Sequence, residues 1–452
     1  MSYPQTIQYL DSFVNYEKKT GYPYKQSFKL ERIEEFLKVI GNPHESLKCI
    51  HVAGTKGKGS VCIFTAYVLK EAGYKVGLYT SPHFSSVRER IRILSCDDPM
   101  DTDFCGMVSE EELEELVNEL KPEIDSYNNA SSYGPLTFFE VYTALGLLYF
   151  KRKKVDFAVL ETGLGGRLDA TNVVNPLICS ITSISYDHTQ KLGDTLSQIA
   201  KEKCGIIKKN SLVISAPQSD EAMQVIRDTV LAQEARLYTI GKDFNFQILN
   251  SSLSYQEFNF KSGLGELNNL KIKLLGRHQL VNACVATGLL LGLKKYCGVE
   301  ISESAFKKGF LSALWPGRFE VVSKNPWVVL DGAHNADSAR VLKDAVRNYF
   351  PDKKVILILG VSKDKDIKGI CSELLPLASR IILTRAKNDR SLNPDELSLF
   401  LEGLSKLRPQ IVSNAKEAFK KANDMPGQDS LILISGSLYL VAEAREFISG
   451  GS

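Results

Sequence analysis

The chain of 452 residues contains no apolar run approaching the ~18 residues of a membrane span. Its first ten residues, Met1-Ser-Tyr-Pro-Gln-Thr-Ile-Gln-Tyr-Leu10, lack the basic-then-apolar order of an export signal. Both absences argue against a membrane protein and point to the cytoplasm. Net charge is also nearly absent, at +3 from 56 basic and 53 acidic residues. That excludes a nucleic-acid binder held by bulk charge and leaves room only for a local basic site. The nine cysteines are odd in number and show no C-x-x-C spacing. They read as free thiols in a reducing compartment rather than a disulfide framework. Histidine is scarce, with six in the chain, and there is no internal repeat or low-complexity segment.

What is present is a soluble composition, 44% hydrophobic and 24% charged. The length exceeds one ordinary core, so two domains are expected. The most informative stretch is Val52-Ala-Gly-Thr-Lys-Gly-Lys-Gly-Ser60. An apolar run, Leu47-Lys-Cys-Ile-His-Val52, precedes it as a buried strand, and Val61 to Ala72 follows as a helix. A strand, a glycine turn and a helix N-terminus make an anion site. Gly54, Gly57 and Gly59 let the backbone approach a ligand, and amide N–H groups then face phosphate oxygens. Lys58 adds a point charge for the β- and γ-phosphates, and Ser60 a hydroxyl near a metal. The fit to G-x-x-x-x-G-K-[ST] is imperfect, because Val52 falls where the first glycine belongs and Gly59 where Ser or Thr belongs. The competing reading is an ordinary glycine-rich turn.

Strands and helices alternate along most of the chain, which predicts a mainly parallel sheet. Residues 5–40 read as largely helical. Strands are predicted at Val76–Thr80, Val155–Leu160 and Leu177–Ser183, and helices open at Ser109, at Thr137 and near 194. Residues 245–275 read as an antiparallel insert, and a helix from His278 to about Lys295 closes the first domain. The Pro-Gly pair in Leu314-Trp-Pro-Gly-Arg-Phe-Glu320 marks a break. Domains are therefore expected at 1–312 and 313–452, the second with strands at Trp327, Val355, Ile381 and Leu431. Ser449-Gly-Gly-Ser452 reads as a frayed tail.

In an open parallel sheet, ligands bind at the carboxyl ends of strands. Glu161 ends an apolar strand, where a hard carboxylate can hold Mg²⁺ beside a phosphate loop. Gly163-Leu-Gly-Gly-Arg167 reads as a flexible turn next to it. By themselves, Ser81 reads as a turn residue and His188 as a loop histidine, since Mg²⁺ prefers oxygen. The lysines of Lys201-Glu-Lys-Cys-Gly205 read as a solvated face, and Asp331-Gly-Ala-His-Asn335 as a strand-to-helix turn capped by Asn335.

Taken in order, these stretches resemble the folylpolyglutamate synthase and dihydrofolate synthase family of the Mur ligase superfamily. The motifs are Gly54–Ser60, Thr80-Ser-Pro-His83, Thr137-Phe-Phe-Glu140, Glu161–Asn172 and Asp187-His188. They continue with Glu202–Ile207, Gly276–Ala283, Trp315–Glu320 and Asp331–Asn335. Lys56, where many members have Asn, is a departure, and so is Ser27-Phe-Lys-Leu30, where Asp-Leu-Gly-Leu is commoner.

The resemblance implies an α/β architecture: a Mur-ligase-like P-loop ATPase domain with a small antiparallel insert, then a smaller Rossmann-like α/β domain that closes over the nucleotide. It implies ATP as co-substrate, held by Thr55, Lys56, Gly57, Lys58, Gly59 and Ser60 together with Asn282, Arg318 and Asp331. It implies two Mg²⁺ ions, with Ser81, Glu161 and His188 as ligands and Lys203 as a further one once converted to a carbamate. Ser27, Phe28, Lys29 and Leu30, with Thr137, Phe138, Phe139 and Glu140 and with Leu168, Asp169 and Ala170, correspond to pteroate-binding segments. Lys58, Lys203 and His334 are the implied catalytic residues. The implied reaction adds L-glutamate to dihydropteroate or a reduced folate through an acyl phosphate, in a monomer with no nucleic-acid or membrane partner. The Thr137-Phe-Phe-Glu140 form suggests that both synthase activities are present, the alternative being folylpolyglutamate synthase alone. A Mur-type ligase of a cell-wall nucleotide, or a non-ligating ATP switch, are the competing functions.

Overall fold

The computed structural model describes residues 1–17, 22–98, 103–425 and 429–449. The tail expected at 449–452 and the middle of the loop before residue 108 fall outside that range, except for Ser449 at a helix end. The chain divides into two compact units. The first comprises Met1–Asn250, Glu257–Lys273 and Gln279–Leu314; the second comprises Ser251–Gln256, Leu274–His278 and Trp315–Ser452. The last segment of the first unit ends at Leu314, and the second unit continues from Trp315. The chain also crosses between units at 251–256 and 274–278, which one boundary drawn along the sequence does not capture.

The first unit is built on a seven-stranded sheet. Its strands are β1 (Cys49–Ala53), β2 (Val76–Tyr79), β3 (Ile91–Leu94), β4 (Phe157–Glu161), β5 (Ile178–Ile181), β6 (Leu212–Ser215) and β7 (Arg236–Thr239). Their spatial order is β3-β2-β4-β1-β5-β6-β7, parallel except for the β2–β3 pair. β1, β2, β4, β5 and β6 are buried along their whole length. Helices cover both faces of such a sheet, so its strands read as continuous apolar runs. The insert is a three-stranded sheet of β8 (Phe244–Ser251), β9 (Gln256–Ser262) and β10 (Gly265–Ile272), in the order β10-β9-β8. Turns this short between neighbouring strands permit only antiparallel pairing.

Residues 5–40 are less helical than expected. Helices cover Tyr3–Asp11, Tyr24–Ser27 and Leu30–Val39, and the described residues between them are not helical. The helix Arg277–Cys297 is long and apolar enough to cross a membrane. Its residues from Leu280 to Leu293 are nearly all buried within the fold, so it is a core helix.

The second unit carries a six-stranded sheet of β11 (Glu320–Lys324), β12 (Trp327–Leu330), β13 (Lys354–Leu359), β14 (Ala378–Leu383), β15 (Gln410–Ile411) and β16 (Ser430–Ser435). The order is β11-β12-β16-β13-β14-β15, parallel except for β11 against β12. All nine cysteines are free.

Candidate functional site

The carboxyl ends of β2, β4, β1 and β5 lie side by side, and the polar motifs of the first unit emerge from them. Between β1 and the helix Lys58–Glu71 the chain makes the glycine turn. Gly57 is the helix N-cap at φ 87°, a left-handed conformation that favours glycine. A Cβ there would overlap the side-chain oxygen of Asn282, and a Cβ on Gly54 would overlap Thr182 Oγ1. The first intrahelical bond runs from the Val61 amide to the Gly57 carbonyl at 2.9 Å. The amides of Lys58, Gly59 and Ser60 therefore precede the helical ladder, where an anion can take them.

The loop after β5 fixes the glycine turn from the other side. Amides of Thr55 and Lys56 donate to the Ser183 carbonyl at 2.9 and 3.2 Å. The Thr55 hydroxyl donates to the Ser185 carbonyl and accepts from the Ser185 amide, both at 3.2 Å. Lys56 Nζ donates to Asp187 Oδ2 at 2.7 Å. The lysine that departs from the common Asn is thus paired with a carboxylate of the next loop. Asp187 also accepts from the His188 amide at 3.0 Å, and His188 sits at φ 52° as the N-cap of a short helix. On the β2 side, Glu161 is 5% exposed and accepts from the Ser81 amide at 3.1 Å. Ser81 and Glu161 are thereby brought together at neighbouring strand ends.

Lys203 overturns the solvated-face reading. It is 4% exposed, and its Nζ donates to the Gly54 carbonyl at 2.8 Å, directly beneath the glycine turn. Burial, and next the Lys58 charge, push its pKa from the ordinary 10.5 down to about 7. Lys201, two positions away, is exposed. The turn Gly163–Arg167 is not a flexible hinge either. Cβ atoms on Gly166 and Gly205 would come within 2.8 Å of the Lys203 carbonyl and 2.4 Å of Arg167 Cα. These glycines let the turn lie flat on the helix Leu196–Cys204, and Arg167 is clamped there by Glu202 at 2.8 Å. The motif therefore aims Lys203 at the glycine turn.

The three segments assigned to pteroate meet in the same unit. Thr137 caps the helix Phe138–Arg152. Glu140 accepts from the Thr137 amide at 2.7 Å and pairs with Arg32 Nε at 2.8 and 2.9 Å. Arg32 in turn donates to the Ser27 carbonyl at 2.9 Å. Burial raises the Glu140 pKa, and the Arg32 charge opposes that rise. Phe138 is fully buried, while Phe139 packs over Gly163. Phe28 lies among Tyr16, Tyr22 and Tyr24 at ring separations of 5.3, 5.9 and 5.0 Å. Asp169 is buried and receives the amides of Gly163 and Leu164 at 2.9 Å each, which holds the Leu168–Ala170 segment in place. Glu140 and Asp169 thus shape these segments from below. Arg32, which pairs with Glu140, and Tyr16 and Tyr22, which pack on Phe28, were not singled out by sequence, since nothing local marks them.

Breaking the Arg32–Glu140 pair leaves a buried, unpaired carboxylate. Arg32→Met is expected to cost about 3–5 kcal/mol of unfolding free energy. Denaturant unfolding checks this, and a loss below about 1 kcal/mol would show the pair to be idle.

In the second unit, Asp331 directly follows β12 and accepts from the Phe319 and Ala333 amides at 2.8 Å each. Burial raises its pKa, with the Arg318 charge opposing. A Cβ on Gly332 would come within 2.7 Å of Arg318 Nη1, so Arg318 and Asp331 share one corner. His334 Nδ1 donates to the Gly332 carbonyl at 2.7 Å, and Asn335 caps the helix Ala336–Tyr349 as expected. Glu320 fixes the preceding turn by accepting from the Gly317 amide and from Arg445 Nε, both at 2.8 Å.

The sequence matches the Mur ligase middle domain over residues 52–290 and the glutamate ligase domain of Mur ligases over residues 317–438. It is 34% identical to the dihydrofolate synthase/folylpolyglutamate synthase of Bacillus subtilis, over 92% of this chain and 94% of that protein. The chain belongs to the folylpolyglutamate synthase and dihydrofolate synthase family of Mur ligases. Solved structures of this family agree along the whole length. The Mycobacterium tuberculosis folylpolyglutamate synthase complexed with ADP has a TM-score of 0.87 at 28% identity, covering 99% of this chain and 98% of that one. A folylpolyglutamate synthase–AMPPCP–folate complex has a TM-score of 0.84 at 29% identity, covering 99% and 100%. As a member of this family, the protein is an ATP-dependent ligase with a Mur ligase fold.

Proposed function

We propose that this ligase joins L-glutamate to the carboxylate of dihydropteroate and of reduced folates, working through an acyl phosphate. The observation that carries the reading is the glycine turn with Lys58 opening the helix that follows it, Lys203 bonded to its Gly54 carbonyl and Glu161 at the end of the neighbouring strand. The bifunctional name of the Bacillus subtilis relative supports both activities, and the relatives solved with nucleotide and folate support the two larger substrates.

ATP phosphates are assigned to the amides of residues 55–60 and to Lys58, with Asn282 a further nucleotide contact of the first unit; Arg318 and Asp331 are the residues of the second unit assigned to nucleotide. The acceptor carboxylate attacks the γ-phosphorus. A carboxyl O–P bond forms as the bond to the ADP oxygen breaks. Lys58 and the loop amides receive the charge that spreads over the phosphoryl oxygens. The amine of glutamate then attacks the acyl carbon, phosphate leaves, and the nitrogen loses its proton. His334 is assigned to the incoming amine or the departing phosphate.

Among the described residues no three His, Cys, Asp or Glu side chains form a ready-made metal cluster. The donor set suits Mg²⁺ nonetheless. This ion takes one or two protein oxygens and completes its shell with phosphates and water, and Glu161 with Ser81 offers that arrangement at a strand end. His188 and the Lys203 carbamate are the further assigned donors. When bound, Mg²⁺ neutralises charge on the phosphoryl oxygens. A carbamate requires a neutral amine to attack CO₂ with loss of one proton, and burial makes Lys203 such an amine near neutral pH.

The buried lysine also fixes a pH dependence. Its proton is bound more tightly in the unfolded chain, so its cost to folding is greatest below about pH 7 and fades as pH rises towards 10.5. Lys203→Met is therefore expected to raise the melting temperature relative to wild type more at pH 6 than at pH 9. An equal offset at both pH values would contradict this.

The function is tested by paired assays with dihydropteroate and with tetrahydrofolate, each with ATP and glutamate, reading ADP and product mass. Products one glutamate heavier are expected from both. Product from tetrahydrofolate alone would leave folylpolyglutamate synthase only, and product from neither would reject the proposal.

A further inference from the structure

β1 is a central parallel strand, buried on both faces, where aliphatic residues are the rule. Its middle residue is a histidine. His51 is 0% exposed and lies in register with Leu160 and Cys179 on the flanking strands. The reaction as assigned above makes no use of it. Its Nε2 lies 2.8 Å from Thr171 Oγ1, and that hydroxyl lies 2.6 Å from Asp169 Oδ1. All three side chains are at most 1% exposed.

Hydrogen-bond counting settles the protons. Asp169 Oδ2 accepts from the Gly163 and Leu164 amides, while Oδ1 accepts from the Thr171 amide at 3.1 Å. With its oxygens facing donors, Asp169 is the acceptor and the single proton of Thr171 Oγ1 points to it. That hydroxyl has only lone pairs left for the imidazole, so His51 carries its proton on Nε2. Nδ1 is buried without a partner. A bare acceptor there costs less than an orphaned N–H donor would. Burial, which pushes the His51 pKa down to about 3, keeps the ring neutral.

We infer that His51 is a positioning residue for the acceptor substrate: through Thr171 it sets Asp169, and Asp169 holds the turn from Gly163 to Ala170. The same strand runs on into the glycine turn at Gly54, so one element carries both the nucleotide turn and the support of the substrate turn. This rests on the assignment of Leu168–Ala170 to the pteroate group, and it extends that assignment to a residue that touches no substrate.

The test uses three full-length variants. His51→Leu removes the donor while keeping bulk. Thr171→Val cuts the same chain one link further on. His51→Gln keeps an N–H donor in place of Nε2. KM for dihydropteroate or tetrahydrofolate is expected to rise about tenfold in His51→Leu and in Thr171→Val, with KM for ATP unchanged and substantial recovery in His51→Gln. Amide hydrogen exchange gives a readout independent of the reaction. Exchange at Gly163 and Leu164 is expected to speed up in the first two variants and to return towards wild type in His51→Gln, with Thr55 and Lys56 unaffected. Equal losses for all substrates, no recovery with glutamine, or unaltered exchange at Gly163 and Leu164 would overturn the inference. A wild-type enzyme inactive on both pterins would instead reject the functional reading, and the exchange experiment would still decide the role of His51.

Discussion

Gly57→Ala is expected to lower glutamate-dependent ADP release by about 10²-fold or more, while the protein stays folded. Two effects combine. At φ 87° the backbone is left-handed, which costs a residue with a Cβ about 1–2 kcal/mol. The added carbon would also overlap the side-chain oxygen of Asn282 and lie 2.9 Å from its Cγ. Asn282 is held in place by donating to Gln279 at 3.0 Å on a helix that is buried on most sides, so withdrawing it breaks that bond. The turn itself must therefore move, taking the amides of residues 58–60 away from the phosphates. A steady-state assay beside a thermal melt checks this, and activity within a few-fold of wild type would contradict it.

Lys58→Met is expected to have an equal or larger effect, about 10²–10³-fold on kcat/KM. Lys58 is the one cationic side chain assigned to the transferring phosphoryl group, and methionine keeps its length without its charge. A second consequence separates this charge from general disruption. After burial, Lys58 is the largest influence holding down the Lys203 pKa. Without it, Lys203 keeps its proton to higher pH. The acid limb of the residual pH–rate profile should therefore move upwards. An acid limb that stays in place would mean that the two lysines are not coupled in the working enzyme.

Much of the scaffold could be read directly because both sheets are mainly parallel. Phe157–Leu160 and Leu431–Ile434 are buried on both faces, so their apolar character survives without any knowledge of neighbours. β11 was not legible. Glu320–Lys324 is half-buried and antiparallel at a sheet edge, and its mixed composition follows the Pro-Gly break like a loop. The glycine turn could be read for a local reason too, since strand, turn and helix are consecutive. Lys203 could not, because Lys201-Glu-Lys203 places one buried and one exposed lysine two residues apart and only the packing of Gly166 and Gly205 tells them apart. Resemblance supplied what composition could not. His51 is the opposite case, a residue inside a plainly legible strand whose partners, Thr171 and Asp169, lie over a hundred positions away.

The most direct measurement is a crystal structure of this protein with AMPPCP and Mg²⁺. The triphosphate is expected over Gly57, Lys58 and Ser60, with the ion between its oxygens and Glu161. A nucleotide bound anywhere else, or phosphates that leave the glycine turn empty, would contradict the assignment on which the ligase mechanism stands.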